Sequence, residues 1–255
     1  MTEYHILNGD CLAEQLRQTE IKPNYIICRE CLIEGEVNSA DLGHFWRLRS
    51  KFISETYKIS TEEYVKTSLS EFEKINTMEE GAEVCLWFEN DLFCQINMWF
   101  IISLLSLQPK LNIYRIFPVI KCEEDLWKGF GVSDTEMLER AYCSKIRFNN
   151  RDIELGKNLW YAYQKSNFNL LKTLSKTPSN CFEYLEEVCQ AHIDRFPSDQ
   201  SPGKLDVFIK ELRLKHPTHF NEAFKEFSEI EGIYGFGDKQ LSNVFDKLNQ
   251  GYSNN

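Results

Sequence analysis

Asp10, Arg29, Glu30, Glu89 and Asp91 each stand at the end of a short run of aliphatic and aromatic residues. Carboxylates gathered at adjacent strand ends hold a divalent cation or serve as acid and base, and a nearby arginine neutralises an anionic group. Asp10, Glu89 and Asp91 are therefore the candidate catalytic residues. Asn8, Gly9, Arg29, Glu30, Arg49 and Gln95 are the candidate ligand-binding set, Gln95 because it follows Asp91 by four residues on one helix face. Oxygen ligands alone suit Mg²⁺ or Mn²⁺ better than zinc. A purely structural role competes with each assignment. Asp10 and Asn90 or Asp91 are favoured helix caps, and Gly9 permits a turn.

The elements that must position these residues are legible from periodicity. Residues 4–8, 25–28, 82–88 and 111–117 read as strands, with helices between them, and that alternation favours parallel pairing through crossovers. Helices are expected over 11–18, 41–57 and 92–107, with a helix start at Ser60-Thr61-Glu62-Glu63. The 92–107 segment is apolar on nearly every side, which predicts burial between layers. Pro23 and Pro109 punctuate the chain before the second strand and after this helix. With strand order 2-1-3-4, the first and third strands are neighbours and their polar ends face one crevice. Ligands bind in such crevices, beyond the carboxyl ends of the strands. After about residue 125 only helices are expected, over 152–175, 182–195, 205–215, 220–227 and 239–248, with a capping box at Ser133–Glu136. The expected fold is α/β: a Rossmann-like three-layer domain over 1–125 with a mainly parallel four-stranded sheet, then an all-helical region over 126–255.

Composition narrows the function classes. Net charge is −10, and residues 1–130 carry 21 acidic against 13 basic side chains. Nucleic-acid binding needs clustered basic residues to displace counterions from phosphates, and no such cluster is visible. Nine cysteines without framework spacing fit a reduced, cytoplasmic protein. No signal peptide or membrane span is apparent, because the longest apolar stretch is interrupted by Gln95, Asn97 and Ser103.

Weaker motifs carry less. Cys28-x-x-Cys31 has zinc spacing without a second Cys/His pair. Gly129-Phe-Gly131 and Gly235-Phe-Gly237 lack the third glycine of a dinucleotide loop. His44, His192, His216 and His219 share no spacing.

Four segments together resemble the bacterial family called domain of unknown function 1835: His5–Asp10, Arg29-Glu30 with Glu34-Gly35, Phe45-Trp46-x-x-Arg49, and Trp87-Phe88-Glu89-x-Asp91-Leu92-Phe93-x-Gln95. The resemblance covers about residues 3–120. In that family a histidine often stands where this chain has Asn90, and a proline where it has Glu36. The resemblance implies the α/β fold and the importance of these segments, and no reaction. His5 belongs to the pattern but lies near the opposite end of its strand from the crevice, as a packing or second-site residue. The functional expectation is a small-molecule site at the strand ends, in its most concrete form a metal-assisted phosphoryl or nucleotide hydrolase. The alternative is a non-catalytic small-molecule-binding or regulatory module whose helical C-terminal half docks a partner. A third reading takes the helices over about 202–248 as a helix-turn-helix element, and their balanced charge argues against DNA binding.

Overall fold

The computed structural model describes residues 2–22, 24–108, 110–198 and 202–252, with side chains up to residue 246. Pro23 and Pro109, expected to punctuate the chain, lie outside the described residues, as do 253–255. Strand β1 (Glu3–Leu7) leads through Gly9 to α1 (Asp10–Leu16), then to β2 (Tyr25–Ile27) and α2 (Leu42–Tyr57). A broken helical stretch follows: α3 (Thr61–Tyr64), a π turn (Val65–Leu69) and α4 (Ser70–Glu73). Next come β3 (Glu83–Trp87), α5 (Leu92–Leu105), β4 (Asn112–Ile116), α6 (Thr135–Cys143) and β5 (Ile146–Arg147). The remainder is α7 (Asn150–Gln164), α8 (Phe168–Leu174), α9 (Leu185–Asp194), α10 (Lys204–Lys215), α11 (Phe220–Ile230) and α12 (Asp238–Tyr252).

Local chemistry explains the helix starts. Asp41, Ser60, Asp91 and Asp134 each accept a hydrogen bond from the backbone N–H three residues on, satisfying a donor that the helix leaves unpaired. The expected helix over 152–175 is two helices instead, because Ser166 takes a left-handed φ of 49° and Asn167 caps α8.

The sheet runs β2-β1-β3-β4-β5. The first four strands are parallel, with Leu7 opposite Ile27 and Trp87, and Trp87 opposite Ile116, so their carboxyl ends align. The fifth pairs antiparallel with β4 at Tyr114 and Arg115, which makes the sheet mixed. This strand corrects the expectation of an all-helical second half. Two residues are too few to carry a periodic signal.

Helices cover both faces. Leu12, Ala13 and Leu16 of α1 and Leu138 and Ala141 of α6 pack beside Leu7, Ile27 and Trp87 on one face. Helix α5 covers the other and is buried almost throughout, as its all-apolar sequence predicts. Beyond α5 lies α7, with Phe100 4.9 Å from Trp160 and Trp99 6.3 Å from Tyr163 between ring centroids. The packing thus runs straight across residue 125. Among the described residues no helix is long and apolar enough to cross a membrane.

Candidate functional site

Parallel register brings three polar segments to one end of the sheet: Asn8-Gly9-Asp10 after β1, Arg29-Glu30 after β2, and Glu89-Asn90-Asp91 after β3. Gly9 makes the first turn possible, with φ of 100°, a conformation costly for any residue with a β-carbon. Two cavities open there. One of about 310 Å³ is lined by Asp10, Arg29, Thr67 and Ser68, the other of about 830 Å³ by Glu89, Asp91, Cys94 and Trp127. Asn8, Phe93 and Gln240 line both.

Both carboxylates that line the smaller cavity meet an arginine. Arg29 grips exposed Asp10 in a two-pronged pair, Nε to Oδ2 at 2.8 Å and Nη2 to Oδ1 at 2.7 Å. That hydrogen bonding holds the Asp10 carboxyl below its ordinary pKa. Glu30 and Arg49 are both buried, with Arg49 Nε and Nη2 donating to Glu30 Oε2 at 3.1 and 2.9 Å. Tyr64 donates to the other Glu30 oxygen, and Arg49 also reaches the carbonyls of Cys31 and Glu34. Arg29 and Arg49, expected to meet an anionic ligand, thus each neutralise a carboxylate of this chain.

The larger cavity is different. Glu89, Asp91 and Cys94 place one ligand atom each within 4.8 Å of one another. Among the described residues no other group of three or more His, Cys, Asp or Glu side chains does so, and Asp10 is not in this one. Asp91 caps α5, accepting from the Cys94 N–H at 2.9 Å. Cys94 Sγ donates to Glu89 Oε2 at 2.8 Å and receives Asn8 Nδ2 at 2.9 Å. Among the described residues, no Lys, Arg or His nitrogen lies within 4.0 Å of either carboxylate. Burial therefore pushes Glu89 up, and burial together with the Glu89 charge pushes Asp91 up to about 7. Burial and the two carboxylates drive the Cys94 thiol well up as well.

Arg115, fully buried on β4, is a charge that acts on Glu89 without touching it. Its guanidinium donates to the backbone carbonyls of Phe88 and Glu89 and to Asn90 Oδ1, not to a carboxylate. Asn97 ties the strand ends together, donating to Asn8 Oδ1 and to the Glu30 carbonyl and accepting from the Leu32 N–H. Asn8 is accordingly spent on Cys94 and Asn97. Gln95 is buried away from the rim: it donates to the Glu183 carbonyl at 2.9 Å and accepts from Trp99.

The cover over the carboxylates comes from the second half of the chain. Gly129 (φ 56°) sits against Glu89 and Gly235 (φ 67°) against Asp91, so closely that a β-carbon on either would overlap the carboxylate side chain. The Phe130 N–H also donates to Glu89 Oε1 at 3.3 Å. Both Gly-Phe-Gly segments thus serve close backbone approach. Cys28 and Cys31 stand outside this group, and burial pushes Cys31 up to about 12, the behaviour of a packed thiol. His5 is fully buried, with Trp87 donating to its Nδ1 at 3.1 Å.

No protein-family model, no curated protein and no solved structure matches this chain.

Cys94, Arg115, Asn97 and the two glycines escaped the sequence reading. Only Cys94 had a usable signal: it stands three residues after Asp91, in the first turn of the helix that Asp91 caps.

Proposed function

We propose that this protein is a metal-assisted hydrolase of a small organic molecule, with its cation held by Glu89, Asp91 and Cys94. One observation carries the proposal. Two carboxylates and a thiol, half-buried at Glu89 and buried at Asp91 and Cys94, converge with no cationic partner among the described residues, on the wall of a cavity large enough for a substrate. Leaving such charges together is costly unless a cation or a shared proton offsets it. Three protein ligands with a fourth position open to the cavity is the pattern of a catalytic ion. A tetrahedral ion holds its ligands roughly 3.3–3.7 Å apart, so the three side chains need only small shifts. The sulfur changes the preferred metal: a carboxylate–thiolate set favours Zn²⁺ over the Mg²⁺ or Mn²⁺ that oxygen ligands alone would suit. The ion would activate a water or polarise a phosphoryl or carbonyl oxygen.

The position fits a Rossmann-like sheet, in which ligands sit beyond the carboxyl ends of strands where the order reverses. The resemblance to domain of unknown function 1835 supports the same place, since its last segment contains Glu89 and Asp91.

The experiment is calorimetric titration of Zn²⁺, Mn²⁺ and Mg²⁺ into wild type, Glu89→Gln and Cys94→Ser. Micromolar or tighter zinc binding that both substitutions abolish supports the proposal, as does zinc-dependent hydrolysis of an ester panel. Absence of binding in a folded wild type sinks it. The second reading, a non-catalytic binding module, has its own support: Asp10–Arg29 and Glu30–Arg49 are satisfied internally and need no ligand.

A further inference from the structure

The cavity above Glu89, Asp91 and Cys94 has a character of its own. Its walls are five aromatic side chains from three separate stretches: Phe93 at the start of α5, Trp127 after β4, and Phe224, Phe227 and Phe236 around α11 and the turn before α12. These rings are held in place from behind. Trp127 packs edge-on against Tyr184 at 5.5 Å and is touched by Gly232, while Phe227 stacks on Phe236 at 5.8 Å. Several hydrogen-bonding groups on the walls are engaged within the chain: the Ser228 hydroxyl donates to the Phe224 carbonyl and Glu229 pairs with Lys225. The Asn8 amide is engaged with Cys94 and Asn97, and Gln240 Oε1 accepts from the Gly237 N–H. A sugar or peptide would leave many of its polar groups unpaired here, whereas a flat apolar body would displace water from ring faces. Polar demand is concentrated at the floor. Lys128 and Lys225 also line the cavity, each paired, among the described residues, with an acidic neighbour three or four positions away, Asp125 and Glu229.

From this we infer that the substrate is an aromatic compound carrying a single anionic oxygen group, a phosphate or a carboxylate. Its ring system lies between Trp127, Phe224 and Phe236, and its anionic group meets the cation at Glu89, Asp91 and Cys94. The anionic half rests on the metal-assisted reading; the aromatic half stands without it.

The test is calorimetry with four probes: 1-naphthyl phosphate, glycerol 1-phosphate, 1-naphthol and 1-naphthylmethylamine. In zinc-loaded wild type, 1-naphthyl phosphate should bind about tenfold or more tighter than glycerol 1-phosphate, the contribution of one well-stacked ring system. Phe224→Leu keeps bulk but removes a ring face. It should weaken 1-naphthyl phosphate about fivefold and leave glycerol 1-phosphate unchanged. If zinc does not bind at all, the metal-assisted reading fails, and metal-free protein still decides the aromatic half. Retention of 1-naphthol that Phe224→Leu weakens supports the aromatic compartment, and no 1-naphthol binding overturns it. Equal affinity for the two phosphates in zinc-loaded protein, or tighter binding of 1-naphthylmethylamine than of 1-naphthyl phosphate, overturns the inference.

Discussion

Two groups of carboxylates stand at the same end of one sheet, and the protein treats them in opposite ways. Beyond β1 and β2, Asp10 and Glu30 are each matched to an arginine, Glu30 in a fully buried network with Arg49 and Tyr64. Beyond β3, half-buried Glu89 and buried Asp91 stand beside each other and a thiol, while Arg115 turns its Nη donors to backbone oxygens and an asparagine amide oxygen. A matched carboxylate rigidifies a fold. An unmatched pair raises its free energy and leaves room for a cation to lower it. The contrast locates the candidate chemistry on the β3 side, with the β2 side as its rigid support.

The largest effect should come from breaking the matched side. Arg49→Ala strands Glu30 in the core, and denaturant melts should show a loss of about 3–5 kcal/mol. A loss below about 1 kcal/mol would mean that the network is not the support proposed here. The unmatched side should respond most to metal. Glu89→Gln should reduce zinc affinity about 100-fold or more in titration, the order expected for removing one of three ligands, while leaving the metal-free fold intact.

The two sides should also differ in the sign of their pH dependence. Asp91 titrates at about 7 in the folded protein against 3.8 for an exposed aspartate, so the folded state binds more protons between these values. Its contribution to stability therefore falls as pH rises from about 4 to about 7 and stays low above. Asn in its place can still cap α5. Metal-free Asp91→Asn should gain on wild type across that window, by on the order of 2 kcal/mol at pH 8 in urea melts. Asp10 is shifted the other way by Arg29, so its smaller contribution is present above its ordinary pKa and is lost as pH falls below it. Melts that show Asp91→Asn no more stable than wild type above pH 7 would remove the contrast. The smallest effect is expected at the exposed matched pair, where Arg29→Ala should cost under about 1 kcal/mol. A larger loss would show that the Arg29 bond to the Thr67 carbonyl, not the ion pair, matters more.

Much of this arrangement was legible in the residues. The cap at Ser60 announces its helix, and the alternation of strand runs with apolar helices carries the α/β class; the capping box expected at Ser133–Glu136 is instead a cap one residue on, at Asp134, whose side chain accepts from the Met137 N–H. The polar ends after β1, β2 and β3 were visible because each interrupts an apolar run. Gln95 shows how a correct rule misleads: it does share a helix face with Asp91, but α5 is buried on every side, so that face leads into the core. Strand β5 was too short to signal itself.

The sequence by itself determined which residues end the strands and that α5 is buried, because both depend on neighbours within a few positions. Which carboxylate is matched was decided only in three dimensions. Arg49, Arg115, Gly129 and Gly235 meet their targets across long stretches of chain, and no local pattern records such meetings. Cys94 reads in its helix as one more small apolar residue. It becomes a candidate ligand only where the turn after β3 brings Glu89 and Asp91 beside it and Gly129 and Gly235 of the second half pack against the two carboxylates.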